Sequence, residues 1–535
     1  MLIRNILSKV SMLALTGVLL GYGVTSGWAM EDDQPDTHSA LRTGRLSELP
    51  VEIQVHILSF LKQQEDLLRA GVTSKSLRQA SGIVWEIKPL DLSHRRLSQE
   101  DYKALAQGPF SSLILKSVYL GDKEEISTFE EYSLLLYKPF RAILSIFVDS
   151  AELRNINSAE ATLARSFRLK NLDLTSNKIG PEGAKALVSG NSSGLTTLYL
   201  DGNGIGDEGA EAFNSGNLSS LTTLDLGQNY IRAKGAKALA SGKLSRLTSL
   251  SLKDNTIGDE GVEALASSLS RLTKLDLSGN YYIGAKGAKA LASGNLPALS
   301  ILSLNDNRLG DKGAEALASG NLPTLATLDL TSNNIGDGGA EALAIGKFPC
   351  LSTLILSDNH LGDEGAEALA SRNLSGLTTL DLTNNSVRFE GAEVFASNNL
   401  SGLTTLILSG NYLGDVGLKV LASRNLSGLT TLGLADNNIG SEGAEALASG
   451  NFSHLTTLCL GFNRIGARGA KALSSGNLSA LTTLDLILNG IEVEGAKALI
   501  SGNLPALTEL NLDSNCKGSE WKEVFAKNVR LRVIY

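Results

Sequence analysis

Few residues of this 535-residue chain have the types and spacing that side-chain chemistry requires. Cys459 and His454 lie five residues apart and could form a nucleophile with its base. No acid that would orient the imidazole and no oxyanion-binding element is evident beside them. The other histidines are scattered along the chain. We therefore predict no catalytic residues and a protein that is not an enzyme.

A metal or cofactor site is not expected either. Asp201, Asn203 and Gly206 imitate the start of a calcium-binding loop, but Ala212 stands where that loop needs a bidentate glutamate. No Gly-Lys-Ser/Thr phosphate-binding loop is present. The net charge of −8, without a basic stripe, argues against nucleic acid as a partner.

A recurring asparagine defines the elements that position these residues. The pattern LxxLxLxxN begins at Leu169, and its asparagine occurs fourteen times, with nearly every step 26 residues long. The column is Asn177, Asn203, Asn229, Asn255, Asn280, Asn307, Asn333, Asn359, Asn385, Asn411, Asn437, Asn463, Asn489 and Asn515. This period is typical of leucine-rich repeats, in which one strand and one helix per unit stack into a curved solenoid. We predict an α/β solenoid over residues 167–516, a leucine-rich-repeat horseshoe with ribonuclease-inhibitor-like strand–helix repeats.

The sequence of one repeat indicates how each unit is built. Leu198 and Leu200 alternate with polar or exposed residues, as in a strand with one buried face. The amide of Asn203 is expected to bond backbone groups of its own turn and of the adjacent repeat, which would otherwise be buried without partners. Gly216 is expected to end the helix in a left-handed conformation.

The N-terminus has the layout of a secretory signal peptide. Arg4 and Lys9 precede an apolar run over residues 10–24, and small residues around Ala29 precede the acidic Glu31. An uncleaved anchor is the alternative, although the run is shorter than the roughly 18–20 residues that a membrane span prefers. We expect a signal peptide over residues 1–29, no stable membrane span after its cleavage, and a disordered acidic linker over residues 30–44.

Residues 45–90 have a different pattern from the repeats. Pro50 stands at the first position of a helix with one apolar face, and two further short helices are predicted before Trp85. The stretch resembles the F-box, with Leu49-Pro50, Ile57-Leu58 and Asp66-Leu67-Leu68 in register. It departs from that pattern at Thr73, where an apolar residue is usual, and at Leu77, where tryptophan is frequent.

The F-box resemblance implies a partner. In that family the three-helix domain docks on the Skp adaptor of cullin ubiquitin ligases, mainly through apolar contacts. The resemblance implies the following adaptor-binding residues: Leu49, Pro50, Ile53, Ile57, Leu58, Leu61, Leu67 and Trp85. The alternative is a generic helical cap that covers the end of the solenoid.

The helical segments carry the motif GAxALA, for example at Gly235, Gly287 and Gly313. Together with the F-box-like stretch, this motif resembles the GALA-type effectors that pathogenic bacteria send into eukaryotic cells. Two features depart from that family: the 26-residue repeats are longer, and a signal peptide replaces an unprocessed N-terminus. We expect export through a Sec-type pathway, with the host cell cytoplasm as a destination that an intracellular bacterium could reach in two steps.

Two segments flank the repeats. Residues 91–166 are predicted to be a connector, with a degenerate repeat at its start and an apolar helix near residues 133–148. Residues 517–535 are predicted to be a C-terminal cap that ends in a strand over residues 531–535.

The concave face of the solenoid is where target binding is expected. One column of it is rich in aspartate, and two adjacent repeats place large apolar residues just before their asparagines, where most repeats have small or polar ones. Such a patch beside acidic residues has the composition of a partner-binding hot spot. The predicted target-binding residues are Asp329, Ile355, Asp381, Ile407, Cys459, Phe462, Arg464, Ile487 and Leu488.

Two functions follow from these patterns. The first is a secreted bacterial effector that is not itself an enzyme, whose F-box recruits a host Skp adaptor while its repeats hold a protein target for ubiquitination. The second is a secreted or surface scaffold or adhesion protein, in which the N-terminal helices only cap the solenoid.

Overall fold

The computed structural model describes residues 90–91, 96–97, 112–114, 119–120, 170–189, 194–214, 218–241, 244–371, 374–395, 400, 402–423, 426–515 and 531–534. The predicted signal peptide, the acidic linker, the predicted adaptor-binding residues and Gly216 lie outside these residues, as does the apolar helix near residues 133–148. Within the described part of the chain, no helix is long and apolar enough to cross a membrane.

The chain divides into two compact units, residues 1–199 with 216–220 and residues 200–215 with 221–535. The first unit contains strands β1 (Leu90–Asp91), β2 (Arg96–Leu97), β3 (Ser112–Ile114), β4 (Tyr119–Leu120), β5 (Asn171–Asp173) and β6 (Thr197–Tyr199), and helix α1 (Gly180–Ser189). Strands β1, β3, β5 and β6 pair in parallel in that order, and β2 pairs with β4. Strands β3 and β4 lie in the predicted connector and were not predicted from the sequence.

The strands of the second unit are three residues long, with a buried leucine in the middle of nearly every one. They are β7 (Thr223–Asp225), β8 (Ser249–Ser251), β9 (Lys274–Asp276), β10 (Ile301–Ser303), β11 (Thr327–Asp329), β12 (Thr353–Ile355), β13 (Thr379–Asp381), β14 (Thr405–Ile407), β15 (Thr431–Gly433), β16 (Thr457–Cys459), β17 (Thr483–Asp485), β18 (Glu509–Asn511) and β19 (Arg532–Ile534). Each pairs in parallel with the next, so that equivalent residues of successive repeats face each other. The final strand corresponds to the one predicted over residues 531–535.

Helices alternate with these strands, and each packs on the helices of the adjacent repeats. The helices are α2 (Gly206–Ala212), α3 (Ala233–Ser241), α4 (Gly258–Ser268), α5 (Ala285–Ser293), α6 (Gly310–Ala318), α7 (Asp337–Ile345), α8 (Asp363–Ser371), α9 (Phe389–Val394), α10 (Gly414–Ala422), α11 (Ser441–Ser449), α12 (Gly466–Ser475) and α13 (Glu492–Ser501). Their buried face is Gly, Ala and Leu, as at Gly313, Ala314 and Leu317. This alternation of parallel strands and helices confirms the predicted leucine-rich-repeat solenoid.

The ends of the helices differ from the sequence-based expectation. Glycines equivalent to Gly216 have negative φ values, −71° at Gly294, −74° at Gly450 and −81° at Gly476, so they are not left-handed. Space explains why glycine stands there: a Cβ at Gly476 would lie 2.6 Å from the carbonyl oxygen of Ala448 in the preceding repeat. The glycine permits close stacking and does not supply a special turn.

From Asn203 to Asn515 the recurring asparagines form a buried hydrogen-bond ladder, as predicted. Oδ1 of Asn359 accepts hydrogen bonds from the backbone N–H groups of Asn333 and Ile335 in the preceding repeat, at 3.0 and 2.9 Å. Its Nδ2 donates to the carbonyl oxygens of Leu330 and Leu356 at 2.9 and 3.0 Å. One amide thus satisfies backbone groups of two repeats that would otherwise be buried without partners.

The ladder is interrupted once between Asn229 and Asn515. Oδ1 of Asn307 is buried without a hydrogen-bond partner, whereas the other asparagines of this stretch accept from the repeat before them. The repeat before Asn307 contains the doubled Tyr281-Tyr282, in which the N–H of Tyr282 donates to the carbonyl of Asn280. The extra residue changes the turn from which Asn307 would otherwise receive its hydrogen bonds.

Candidate functional site

The first and third residues of strands β7–β18 form a half-exposed surface, which we call the open face. In β11, for example, Leu328 is fully buried while Thr327 and Asp329 on either side are partly exposed. The third residues form one row, because each is paired in register with its equivalent in the next strand. From β11 to β17 this row is Asp329, Ile355, Asp381, Ile407, Gly433, Cys459 and Asp485. Five of the predicted target-binding residues therefore lie in one row.

The aspartates of the row also hold the turn that follows each strand. Oδ1 of Asp329 accepts from the backbone N–H and the hydroxyl of Thr331, at 3.0 and 2.7 Å. Asp381 bonds Thr383 in the same way, at 2.9 and 2.6 Å. These carboxylates therefore have a structural role beside the negative charge that they place on the open face.

The row loses its carboxylates between β14 and β16, where an apolar surface replaces them. It consists of Ile407, Gly433, Ala435, Cys459, Gly461 and Ile487, which we call the apolar floor. A Cβ at Gly433 would lie 2.9 Å from Cγ2 of Ile407, and one at Gly461 would lie 2.6 Å from Cγ2 of Ile487. The isoleucine side chains therefore lie against glycines of the neighbouring repeat. Because these glycines have no side chain, this part of the open face does not protrude.

Phe462 and Leu488 project beside the apolar floor, each immediately before the asparagine of its repeat. Their exposed fractions are 53% and 43%. The N–H of Phe462 donates to the carbonyl of Ile487 at 2.8 Å, so the two turns are neighbours. Phe462 and Leu488 were predicted from the sequence to share one patch, and in the structure they lie in neighbouring turns.

The backbone at these two residues is left-handed, with φ of 59° at Phe462 and 53° at Leu488. The same position is left-handed in every repeat, where the residues are Ser176, Gly202, Gln228, Asp254, Gly279, Asp306, Ser332, Asp358, Asn384, Gly410, Asp436 and Ser514. Glycine, asparagine and aspartate tolerate this conformation best, whereas large apolar residues are strained in it. Two strained and exposed apolar side chains in adjacent repeats favour a binding role over a packing role.

Carboxylates surround the apolar floor. In the row of third residues, Asp381 and Asp485 lie on either side of Ile407, Gly433 and Cys459. Asp436 stands before Phe462 in the row of turn residues, and Asp513 follows Ile487 in the next repeat. We call these four residues the acidic frame. Arg464 is exposed in the same turn as Phe462, on the other side of the buried Asn463.

Cys459 does not have the surroundings of a nucleophile. Burial, together with the neighbouring carboxylate of Asp485, raises the pKa of its thiol, whereas a reactive cysteine needs a lowered pKa. Nδ1 of His454 lies 2.9 Å from the carbonyl oxygen of Ser427 and 3.2 Å from the hydroxyl of Ser453. Among the residues that the structure describes, no cluster of His, Cys, Asp or Glu could hold a metal ion.

A set of exposed tyrosines was not predicted from the sequence. Tyr230, Tyr281, Tyr282 and Tyr412 are 78%, 54%, 64% and 62% exposed, each just after the asparagine of its repeat. The guanidinium of Arg308 lies 5.9 Å from the centre of the Tyr282 ring, within the range of a cation–π contact. The signals in the sequence were the doubled Tyr281-Tyr282 and the tyrosine that directly follows the repeat asparagine at Tyr230 and Tyr412.

Comparisons with known proteins agree with this architecture. An F-box-like model matches residues 46–86, and a leucine-rich-repeat model matches residues 193–257. A second leucine-rich-repeat model matches residues 167–188, 270–292, 296–318, 321–344, 349–370, 401–422, 428–448, 453–474 and 478–499. Both kinds of module are typically non-enzymatic and mediate protein interactions.

Among solved structures, an internalin from Listeria monocytogenes is 23% identical, with 71% of this chain and 94% of that chain covered and a TM-score of 0.45. A leucine-rich-repeat protein from Leptospira interrogans is 19% identical, with 86% and 99% covered and a TM-score of 0.36. No curated protein matches the chain. The chain therefore combines an F-box-like domain with a long series of leucine-rich repeats.

Proposed function

We propose that this protein is a substrate-recruiting adaptor of a ubiquitin ligase. Its F-box-like domain docks on the Skp adaptor of a host cullin ligase, and its repeats hold the protein that is to be ubiquitinated. The proposal is supported by the presence in one chain of an F-box-like domain and a repeat surface that carries exposed, strained apolar side chains. The F-box-like domain would bind the Skp adaptor, and the repeat surface would bind the target protein.

We further propose that the protein is a bacterial effector that resembles the GALA type and is exported through its Sec-type signal peptide. The GAxALA motifs in the helices and the apolar run over residues 10–24 support this assignment. A host ligase is the partner that an F-box would serve, because the adaptor is a eukaryotic protein. The host cell cytoplasm would then be the place of action.

The experiment that tests the adaptor role is a pull-down of a purified eukaryotic Skp adaptor by residues 30–535. The parent protein should retain the adaptor, and Leu49→Ala combined with Pro50→Ala should abolish this retention. A truncated apolar contact at the centre of an interface typically costs about 2 kcal/mol or more. Leu488→Asn serves as the control, because it lies in the repeats and should leave adaptor binding unchanged.

The outcome separates the two functions that the sequence left open. If the double variant retained the adaptor as well as the parent did, or if neither bound it, the N-terminal helices would serve only as a cap. The scaffold or adhesion function would then take the place of the ligase adaptor.

A further inference from the structure

We propose that the open face binds a short linear peptide segment with an apolar core and with lysine or arginine on both sides of it. This inference rests on the proposed function of the repeats and names the chemistry of their target. It depends on the size of the apolar floor, on the two strained side chains beside it, and on the charges that surround it.

The size of the apolar floor indicates how much of a partner it accommodates. It extends from Ile407 at the end of β14 to Ile487, just after β17. Neighbouring strands of a sheet lie about 4.8 Å apart, so the floor is roughly 14 Å long. An extended peptide rises about 3.3 Å per residue, and four to five residues would cover this length. A segment of about four to five residues of the partner is therefore long enough to cover the apolar floor.

The shape and strain of this region favour apolar residues in that segment. Gly433 and Gly461 have no side chains above the floor, and Ile407 and Ile487 lie against them. Phe462 and Leu488 stand beside the floor in a backbone conformation that other residues adopt more readily. Apolar side chains of a partner would bury these exposed groups and exclude water from them.

The charges favour basic residues at both ends of that segment. The acidic frame places Asp381 and Asp485 on either side of Ile407, Gly433 and Cys459 in the row of third residues. Their hydrogen bonds to the backbone use Oδ1 and leave the negative charge in place. Complementary charges speed association and select among partners, and an acidic segment would be repelled.

Nearby cations do not neutralise the acidic frame. Lys419 and Arg468 belong to helices and are paired with Glu442 and Glu445, at 2.6 Å in each case. Arg464 lies in the turn beside Phe462 and balances at most one of the four carboxylates. The surface around the apolar floor is therefore acidic overall.

The test is selection of a random dodecapeptide display library on the full-length protein, with counter-selection on a Phe462→Asn, Leu488→Asn variant. Asparagine already occupies the equivalent position at Asn384, so the variant is expected to fold. The peptides that depend on the two side chains should share an apolar core with Lys or Arg on both sides. Melting curves of the variant and the parent check that both are folded.

A second measurement isolates the charges. The affinity of one selected peptide, measured by fluorescence anisotropy, should fall about tenfold when Asp381 and Asp485 are both changed to asparagine, a loss of about 1.4 kcal/mol. It should also fall as salt is added. Asp276→Asn is the matched control, because Oδ1 of Asp276 accepts hydrogen bonds from the N–H and the hydroxyl of Ser278, as Asp381 does from Thr383, but Asp276 lies four strands further from the floor. That control should leave the affinity unchanged.

Three outcomes would overturn the inference. Selected peptides with acidic or neutral flanks would contradict the basic target and leave the repeats as a target-binding surface. If peptides were enriched equally by the parent and by the double variant, both the inference and the proposed target-binding role of this surface would be wrong. This conclusion would not depend on the result of the Skp pull-down. Dimerisation of the parent that is lost in the double variant, measured by analytical ultracentrifugation, would assign the surface to a second copy of the chain.

Discussion

Oδ1 of Asp363 lies 2.7 Å from the backbone nitrogen of Arg388, so that a carboxylate of one repeat caps the helix of the next repeat. The same oxygen accepts a hydrogen bond from the N–H of Gly391 at 2.9 Å. Both N–H groups belong to the start of α9, where a helix has no internal partners for its donors and favours negative charge. Equivalent hydrogen bonds are made by Asp207, Asp259, Asp311, Asp337 and Asp415.

The presence of this aspartate decides the form of the next turn. Where the preceding repeat has it, the residue before the helix is extended, with φ of −108° at Arg388 and −99° at Gly440. Where alanine, phenylalanine or serine stands instead, a residue with left-handed backbone begins the helix. The cases are Gly258, Gly310, Gly414, Gly466 and Glu492, which follow repeats with Ala233, Ala285, Phe389, Ser441 and Ala467. One side chain therefore controls the backbone of the neighbouring repeat.

Asp363→Ala should lower the free energy of unfolding by about 1 kcal/mol, since the helix loses its cap and the favourable charge at its N-terminus. Thermal melting and urea titration would measure the loss. The control is Glu367→Ala in the same helix, whose exposed side chain is not at the start of a helix and whose removal should change stability by less than about 0.5 kcal/mol. Equal melting of the two variants would contradict the capping role.

Asn359→Ala should lower the free energy of unfolding by about 1–3 kcal/mol, because buried backbone groups in two repeats lose their partners. Asn307→Ala should cost less than Asn359→Ala, because Oδ1 of Asn307 has no hydrogen bond to lose. Asn321 is exposed, and Asn321→Ala is the control that should show almost no effect. Chemical denaturation measures all three. A loss at Asn307 that matches the loss at Asn359 would count against the interrupted ladder.

The sequence was sufficient for the register of the repeats and for much of the site. The 26-residue period located the buried asparagines and the row that contains Asp329, Ile355 and Asp381, because strand pairing follows the repeat. The binding roles assigned to those residues remain predictions.

Features that depend on contacts between repeats could not be read from one repeat. The cap that Asp363 provides is made by backbone 25 and 28 residues away. The close contact at Gly433 is made by the side chain of Ile407 in the preceding strand. The expectation of left-handed glycines at helix ends failed for the same reason, since the close approach of the preceding helix accounts for those glycines.

Leu488→Gly should be more stable than Leu488→Ala by about 1 kcal/mol, because alanine is strained in a left-handed backbone and glycine is not. In an ordinary strand or helix the order would be reversed, since glycine is the less stable of the two there. Denaturant titration of both variants decides between these cases. An alanine variant that is the more stable one would show that the backbone at this residue is not left-handed.

Asp225→Asn should stabilise the protein at pH 7, because burial, reinforced by the charge of Asp201, raises the pKa of Asp225 above its ordinary value of 3.8. The folded state then binds the proton more tightly than the unfolded state. The stability that Asp225 contributes is therefore present at low pH and falls as the pH rises from 3.8 through the raised pKa. Asparagine keeps an acceptor for the N–H of Gly227 and has no charge to bury.

The difference in melting temperature between Asp225→Asn and the parent should therefore grow as the pH is raised from about 3.5 to 7. Circular dichroism melts in a series of buffers at constant ionic strength would measure it. A difference that stays constant or shrinks with rising pH would contradict the buried charge.

The doubled Tyr281-Tyr282 has a thermodynamic consequence for the stack as a whole. A repeat protein unfolds according to the coupling between nearest neighbours, and its cooperativity is limited by the weakest junction. At the junction between the repeats of Asn280 and Asn307, Nδ2 of Asn307 still donates to the carbonyl of Leu277, but Oδ1 lacks the hydrogen bonds from the preceding repeat that the neighbouring junctions have. Partial unfolding should begin there, which would make amide hydrogen exchange faster on both sides of this junction than in the repeats around Asn359 and Asn463. The chain would then behave in denaturant as two cooperative blocks joined at the tyrosines.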